Sequence, residues 1–188
     1  MADIVLDRIQ ETRSALKVKF SDQVAVDNDH CFAGFEGYRK VIESSDVVLV
    51  ANAAKFHPMH MMAAIQAGKH VFVEKPFALD EGQLTAIREQ LQLSGGRLLM
   101  VGFNRRFAPL AVRLRLFIQE RREPLAAHYR VNAGYLPLTH WLHDPAQGGG
   151  RIIGEGCHFI DFLAFLVGAP PISVTAQALP DGGRYRED

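Results

Sequence analysis

Glu74, Lys75 and Pro76 follow an apolar tetrad, His-Val-Phe-Val at residues 70–73, so a carboxylate and an amine stand together where a buried strand would end. Charges in such a place are costly unless something uses them, and in open α/β sheets the carboxyl ends of strands are where ligands sit. On that ground alone Glu74 and Lys75 are candidate site residues. The bland alternative is a strand end in water, its charges joined in a salt bridge. Further along, His158 and Asp161 are spaced i, i+3, which puts them on one helix face as an acid-base pair or as an ordinary helix-face hydrogen bond. Asn104, Arg105 and Arg106 cluster after another apolar run; by themselves they read as solvated charge. His30 with Cys31, and His57 with His60, do not offer the three or four converging ligands that a metal requires, so no metal site is expected.

The elements that must position these groups start with a βαβ unit over residues 46–76. Its Val-rich runs at 47–51 and 70–73 are short enough to be strands buried on both faces. Between them, Pro58 suits a first helical turn, Met62 and Ile65 supply an apolar face, and Gly68 stands where a helix end wants a left-handed residue. Before this unit the pattern predicts a helix through residues 4–20, closed by Ser21 and Asp22. A short strand at 24–26 and a helix over 34–44 follow, the latter burying Phe35, Tyr38, Val41 and Ile42. After it come a helix over 80–92 with Leu84, Ile87 and Leu91 inward, a strand at 97–101, and a helix from Pro109 to about Gln119.

From Pro124 the pattern changes. Residues 126–136, AAHYRVNAGYL, alternate as a strand of an open sheet does, and 172–176 read as one more strand. HWLHDP, at 140–145, reads as a loop. Gly148, Gly149 and Gly150 allow close backbone approach, and 155–167 form an apolar helix ended by Gly168.

Lys and Arg number 21, as do Asp and Glu, and no basic run exceeds the pairs Arg105-Arg106 and Arg121-Arg122, which argues against a nucleic-acid partner. No apolar stretch approaches the roughly 20 residues of a membrane span. Two cysteines, Cys31 and Cys157, are too few for a disulfide framework, so a reducing cytoplasm is expected.

The runs ANAAKFH and AAIQAGKHVFVEKP, with GFNRRF at 102–107 and GGGRIIGEGCHFID at 148–161, resemble the Gfo/Idh/MocA family of nicotinamide-dependent oxidoreductases over essentially the whole chain. The resemblance implies an incomplete Rossmann-type parallel sheet over residues 1–104. An α+β domain with an open, largely antiparallel sheet then begins over residues 105–188 and makes a homo-oligomer when complete. It implies NAD rather than NADP as cofactor, Asp3 being the acidic residue that binds the adenosine ribose; a helix N-cap is the competing reading of Asp3. Ala51, Asn52, His57, Glu74, Lys75 and Pro76 are implied to line the cofactor, His57 having a helix-start histidine packed on the surface as its alternative. Lys75 and His158 are implied to be catalytic, with Asn104, Arg105, Arg106, Glu155 and Asp161 on the substrate, a sugar, cyclitol or related polyol. The Lys75-Pro76 bond is a natural place for a cis peptide.

The sequence departs from the family twice. Gly154 stands where the pattern G-G-G-x-x-x-D-x-G-x-H has its aspartate, Glu155 being the nearest carboxylate. The dinucleotide fingerprint G-x-G-x-x-G is absent, and the first strand, first helix and most of the second strand are expected to precede Met1. The chain alone is therefore expected to be an inactive fragment. An NAD-dependent glycosidase, and a non-catalytic remnant that binds a partner, are the rival readings.

Overall fold

The computed structural model describes residues 1–178. They fall into two compact units, the first built from Met1–Ala51, Phe56–Val73 and Thr85–Met100, the second from Asn52–Lys55, Glu74–Leu84 and the chain from Val101 onward.

In the first unit, β1 (Ala2–Asp3) pairs in parallel with β2 (Phe32–Ala33), the crossover being made by α1 (Leu6–Phe20). Then α2 (Gly37–Glu43) packs on both strands and on β3 (Val47–Val50). Gly37 is required there, since a Cβ would lie 2.6 Å from the Phe32 carbonyl oxygen. A second parallel pairing joins β3 to β4 (His70–Val73), register Val47↔His70 to Val50↔Val73, through α3 (His57–Gln66). Pro58 occupies the first turn of α3, Met61 and Ala64 are fully buried with Ile65 behind them, and Gly68 (φ 72°) turns the chain back. The sheet order is β3-β4-β5, where β5 is Leu99–Val101, and α4 (Glu81–Leu93) inserts Ile87 into the core. These are the parallel sheets and alternating helices of a Rossmann-like α/β fold.

Four expectations about these elements are corrected. Residues 24–26 form no strand, because the ladder bonds of β1 go to β2 instead: Phe32 N donates to the Met1 carbonyl at 2.9 Å and Gly34 N to that of Asp3 at 3.0 Å. β3 is not buried on both faces. Val48 and Val50 lie under α2 and α3, while Val47 is 52% and Leu49 70% exposed, which opens one apolar face of the strand, and among the described residues β3 is the outer strand of its sheet. Phe35 precedes α2 rather than sitting on its inner side, and is exposed, as is Leu84 on α4.

In the second unit, α5 (Pro109–Gln119) packs on α6 (Cys157–Val167), which Gly168 (φ 80°) terminates. The helix predicted from Glu155 is instead a π-helical turn, Ile152–Gly156, running into α6. The strands expected at 126–136 and 172–176 are not formed, and with them the antiparallel sheet assigned to oligomerisation has no ladder among the described residues. An alternating sequence makes a strand only where a partner accepts its bonds. Here Tyr129 stacks on Phe159 and Phe162 of α6, with ring centroids 5.1 and 5.7 Å away, and Ile172 and Val174 stand in solvent. Within the stretch read as a loop, Trp141–His143 make one 3₁₀ turn that buries Leu142. No helix among the described residues is long and apolar enough to cross a membrane.

Candidate active site

Lys75 stands two residues beyond β4, joined to the buried Pro76 by a cis peptide as the sequence suggested. Its amine donates to the Gly154 carbonyl at 2.6 Å. That carbonyl belongs to the π-helical turn, a distortion frequent at functional sites. Gly154 is buried, and a Cβ on it would lie 2.5 Å from Leu142 Cδ1 and 3.2 Å from the Gly148 oxygen. The family's aspartate therefore has no room unless Leu142 moves, and Lys75 meets a backbone carbonyl in this neighbourhood.

Around this contact is a cavity of about 520 Å³ whose lining includes Lys75, Arg105, Tyr129, Arg130, Glu155 and His158. Arg105 donates to the Tyr129 hydroxyl at 3.0 Å and lies over the Phe159 ring, 4.8 Å from its centroid. Glu155 accepts from Arg151 of the same helical segment at 3.2 Å. His158 lies edge-on to Phe103, and its Nδ1 is enclosed without a hydrogen-bond partner among the described residues.

Burial holds the His158 imidazole below its ordinary value of 6.5. The nearby charges of Lys75 and Arg105 push the same way, and Asp161 and Glu74 only partly oppose them. His158 is therefore neutral at pH 7, the form that can take a proton. Burial likewise raises the Cys157 thiol above its ordinary value, which keeps it protonated and unreactive. His60, stacked between Tyr38 and Phe56 in the first unit, is lowered by burial and then by the charge of His57.

Both lowered histidines link stability to pH. The unfolded chain takes these protons at about pH 6.5, whereas the folded chain resists them, so their neutral burial costs nothing above that pH. Stability is expected to fall as the pH drops from about 6.5 towards the depressed folded values. Thermal melts between pH 7.5 and 5 should show this, with His158→Gln and His60→Gln each flattening part of the slope; an unchanged slope in both variants would refute the assignment.

Arg106 and Asp161 are bound to each other. Nε donates to Oδ2 at 2.7 Å and Nη2 makes a second, short bond to Oδ1, which raises the guanidinium's pKa. The Asp161 side chain is 7% exposed, that of Arg106 40%. Arg106→Ala is expected to cost about 2 kcal/mol in urea unfolding, less than the 3–5 kcal/mol of a fully buried pair because Arg106 is partly in water.

The residues singled out in the sequence divide accordingly. Lys75, Arg105, Glu155 and His158 line one cavity; Arg106 and Asp161 do not line it, and Asp161 faces Arg106 rather than making the expected pair with His158. Asn104 is exposed outside the lining, in the 3₁₀ turn Asn104–Phe107. Glu74 and Asn52 belong to the second unit with Lys75 and Pro76, whereas Asp3, Ala51 and His57 belong to the first. Asp3 ends β1 and accepts from Val5 N at 2.9 Å; the N-cap of α1 is Val5, so Asp3 is not that cap. Ala51 follows β3 exposed, and His57, the first residue of α3, is 1% exposed rather than on the surface. Tyr129, Arg130 and Asn132 also line the cavity and carry no motif that marks them, while Phe159, also in the lining, lies within the motif at 148–161. The only sequence signal is an Arg and an Asn flanking an apolar residue in an aromatic segment.

Residues 4–103 match the GFO_IDH_MocA family, described as an oxidoreductase family with an NAD-binding Rossmann fold, and residues 123–185 match the GFO/IDH/MocA C-terminal domain. The chain belongs to this family. It is 34% identical over 146 residues to inositol 2-dehydrogenase 2 of Saccharopolyspora erythraea, a match covering 76% of this chain and 41% of the relative. It is 31% identical over 148 residues to D-glucoside 3-dehydrogenase of Escherichia coli, covering 75% and 41%. Among solved structures, an NAD-binding oxidoreductase from Klebsiella pneumoniae matches with a TM-score of 0.65 and 26% identity, over 89% of this chain and 43% of that one. The chain thus spans about two fifths of the length of these relatives.

Proposed function

We propose that this chain supplies the substrate side of an NAD-dependent oxidoreductase that takes a hydride from a carbinol carbon of a sugar, cyclitol or related polyol. The observation that carries this reading is one cavity lined by both the Lys75 amine, anchored on the Gly154 carbonyl, and a neutral His158. Lys75 holds the reacting hydroxyl by hydrogen bonding, and a ring nitrogen of His158 takes its proton. Bound NAD supplies the acceptor for the hydride.

The residues fit the two ends of that cofactor. The position of Asp3 at the carboxyl end of β1 in a parallel sheet supports its reading as the ribose-hydroxyl acceptor, which would favour NAD over NADP. Ala51, Asn52, His57, Glu74, Lys75 and Pro76 follow the carboxyl ends of β3 and β4, where a nicotinamide belongs. The sequence holds no G-x-G-x-x-G turn for the pyrophosphate, so the activity is proposed for an assembly that contains one. The 188 residues alone are expected to be inactive and to bind NAD no better than about millimolar.

The test is to extend the chain with the N-terminal segment of the Saccharopolyspora relative and follow NADH formation on a panel of inositols, glucosides and alditols together with their carboxylate and phosphate-ester derivatives. Oxidation of at least one is expected. Tight NADH binding without oxidation of any polyol would overturn the proposal, and cleavage of a glycoside without net NADH would replace it by the glycosidase.

A further inference from the structure

We propose that the polyol this cavity takes carries an anionic group, a carboxylate or a phosphate ester, held by Arg105 and Arg130. The inference rests on the polyol reading above and adds the charge of the substrate.

Three basic residues, Lys75, Arg105 and Arg130, line the cavity against one carboxylate in the lining, Glu155, with Glu74 close enough to act on His158. Glu155 is already matched by Arg151, and Asp161 is matched by Arg106. The ion pairs of His30 with Asp27 and of Arg39 with Glu36 do not involve Lys75, Arg105 or Arg130 either. The partners that Lys75 and Arg105 do have are neutral: a backbone carbonyl and the Tyr129 hydroxyl. Like charges facing one cavity repel, and the cavity pays this electrostatic cost unless a counter-charge enters. A neutral polyol brings none. Two hydroxyl-binding groups would also serve a neutral polyol as amides or hydroxyls, without the repulsion.

The geometry of the arginines points the same way. Arg105 is fixed at two places, by its bond to Tyr129 and by the face of Phe159, and a guanidinium has five donors, of which the Tyr129 bond uses one. A planar fork held still is the arrangement that recognises a carboxylate or phosphate with two parallel bonds. Arg130, the next residue after Tyr129, belongs to the same lining. Lys75 is left for the reacting hydroxyl, and the neutral imidazole of His158 adds no competing charge.

Calorimetric titration of the 188-residue chain at low salt tests this with D-sorbitol, D-gluconate, sorbitol 6-phosphate and inorganic phosphate. Gluconate or sorbitol 6-phosphate is expected to bind at least about tenfold more tightly than sorbitol, the factor one charge-assisted hydrogen bond commands, and to weaken as salt is added. Whichever of the two binds better identifies the anion as carboxylate or phosphate ester. Arg130→Gln, at an exposed position that leaves the packing intact, should remove about tenfold of that affinity, and Arg105→Gln should do the same. Sorbitol binding as tightly as both anions would overturn the inference and leave the polyol reading standing. Inorganic phosphate binding as tightly as sorbitol 6-phosphate would overturn the polyol reading instead, and no binding by any of the four would overturn both.

Discussion

Lys75→Met, made in the chain extended with its relative's N-terminal segment, is expected to lower turnover by on the order of 10² to 10⁴-fold while NADH affinity stays close to that of the parent. Methionine keeps most of the side-chain stem and loses the ammonium, which now donates to the Gly154 carbonyl at 2.6 Å in a cavity shared with His158. What disappears is the group proposed to orient the hydroxyl and ease removal of its proton. Because that interaction strengthens only as the hydroxyl ionises, kcat and kcat/KM should fall together. Lys75→Arg should restore little, since a planar fork cannot take the place of a compact amine on one carbonyl. A thermal melt separates this from unfolding. Loss of one partly buried hydrogen bond costs on the order of 1 kcal/mol, too little to account for the lost rate. Unchanged turnover would remove Lys75 from the mechanism.

The parts of this arrangement that were legible in the sequence are those that local rules decide. The β3-α3-β4 unit is written in two Val-rich runs with Pro58 and Gly68 between them, and Lys75 is conspicuous because a charge at a buried strand end needs a reason. Helices bounded by Pro109 and by Gly168 are equally plain. β2 was not legible, since two residues have no period and Val24 to Val26 offer a better strand sequence than Phe32 and Ala33; only the ladder from β1 decides between them. Nor was the pairing of Arg106 with Asp161, 55 residues apart. Helix spacing put Asp161 beside His158, but a guanidinium fork outcompetes a neutral imidazole for a buried carboxylate. The contribution of Tyr129 to the site depends on α6 being present to stack against, and the alternation around it says nothing of that.

The second large effect is expected at Gly148. A Cβ at this position would lie 2.5 Å from both Cα and the carbonyl oxygen of Leu142 and 2.8 Å from its carbonyl carbon, all backbone atoms of the 3₁₀ turn Trp141–His143. Gly154 faces a Leu142 atom at the same 2.5 Å, but that atom is the terminal Cδ1, which a rotation of the side chain can carry away. The obstacle therefore differs in kind while the distance does not. Gly148→Ala has to displace main chain and is expected to cost about 3 kcal/mol or more in urea unfolding, at the upper end of overpacking. Gly154→Ala needs one leucine rotamer to give and should cost roughly 1–2 kcal/mol. Leu142→Ala, which empties the space, should make the Gly154→Ala substitution nearly free in the double variant, an interaction of about 1 kcal/mol or more between neighbouring sites. It should do little for Gly148→Ala, where the backbone remains. If Gly154→Ala proved the costlier of the two, or if Leu142→Ala rescued Gly148→Ala, then the side chain and not the turn would be what fixes these glycines. Gly154 would then be held away from aspartate by something other than Leu142.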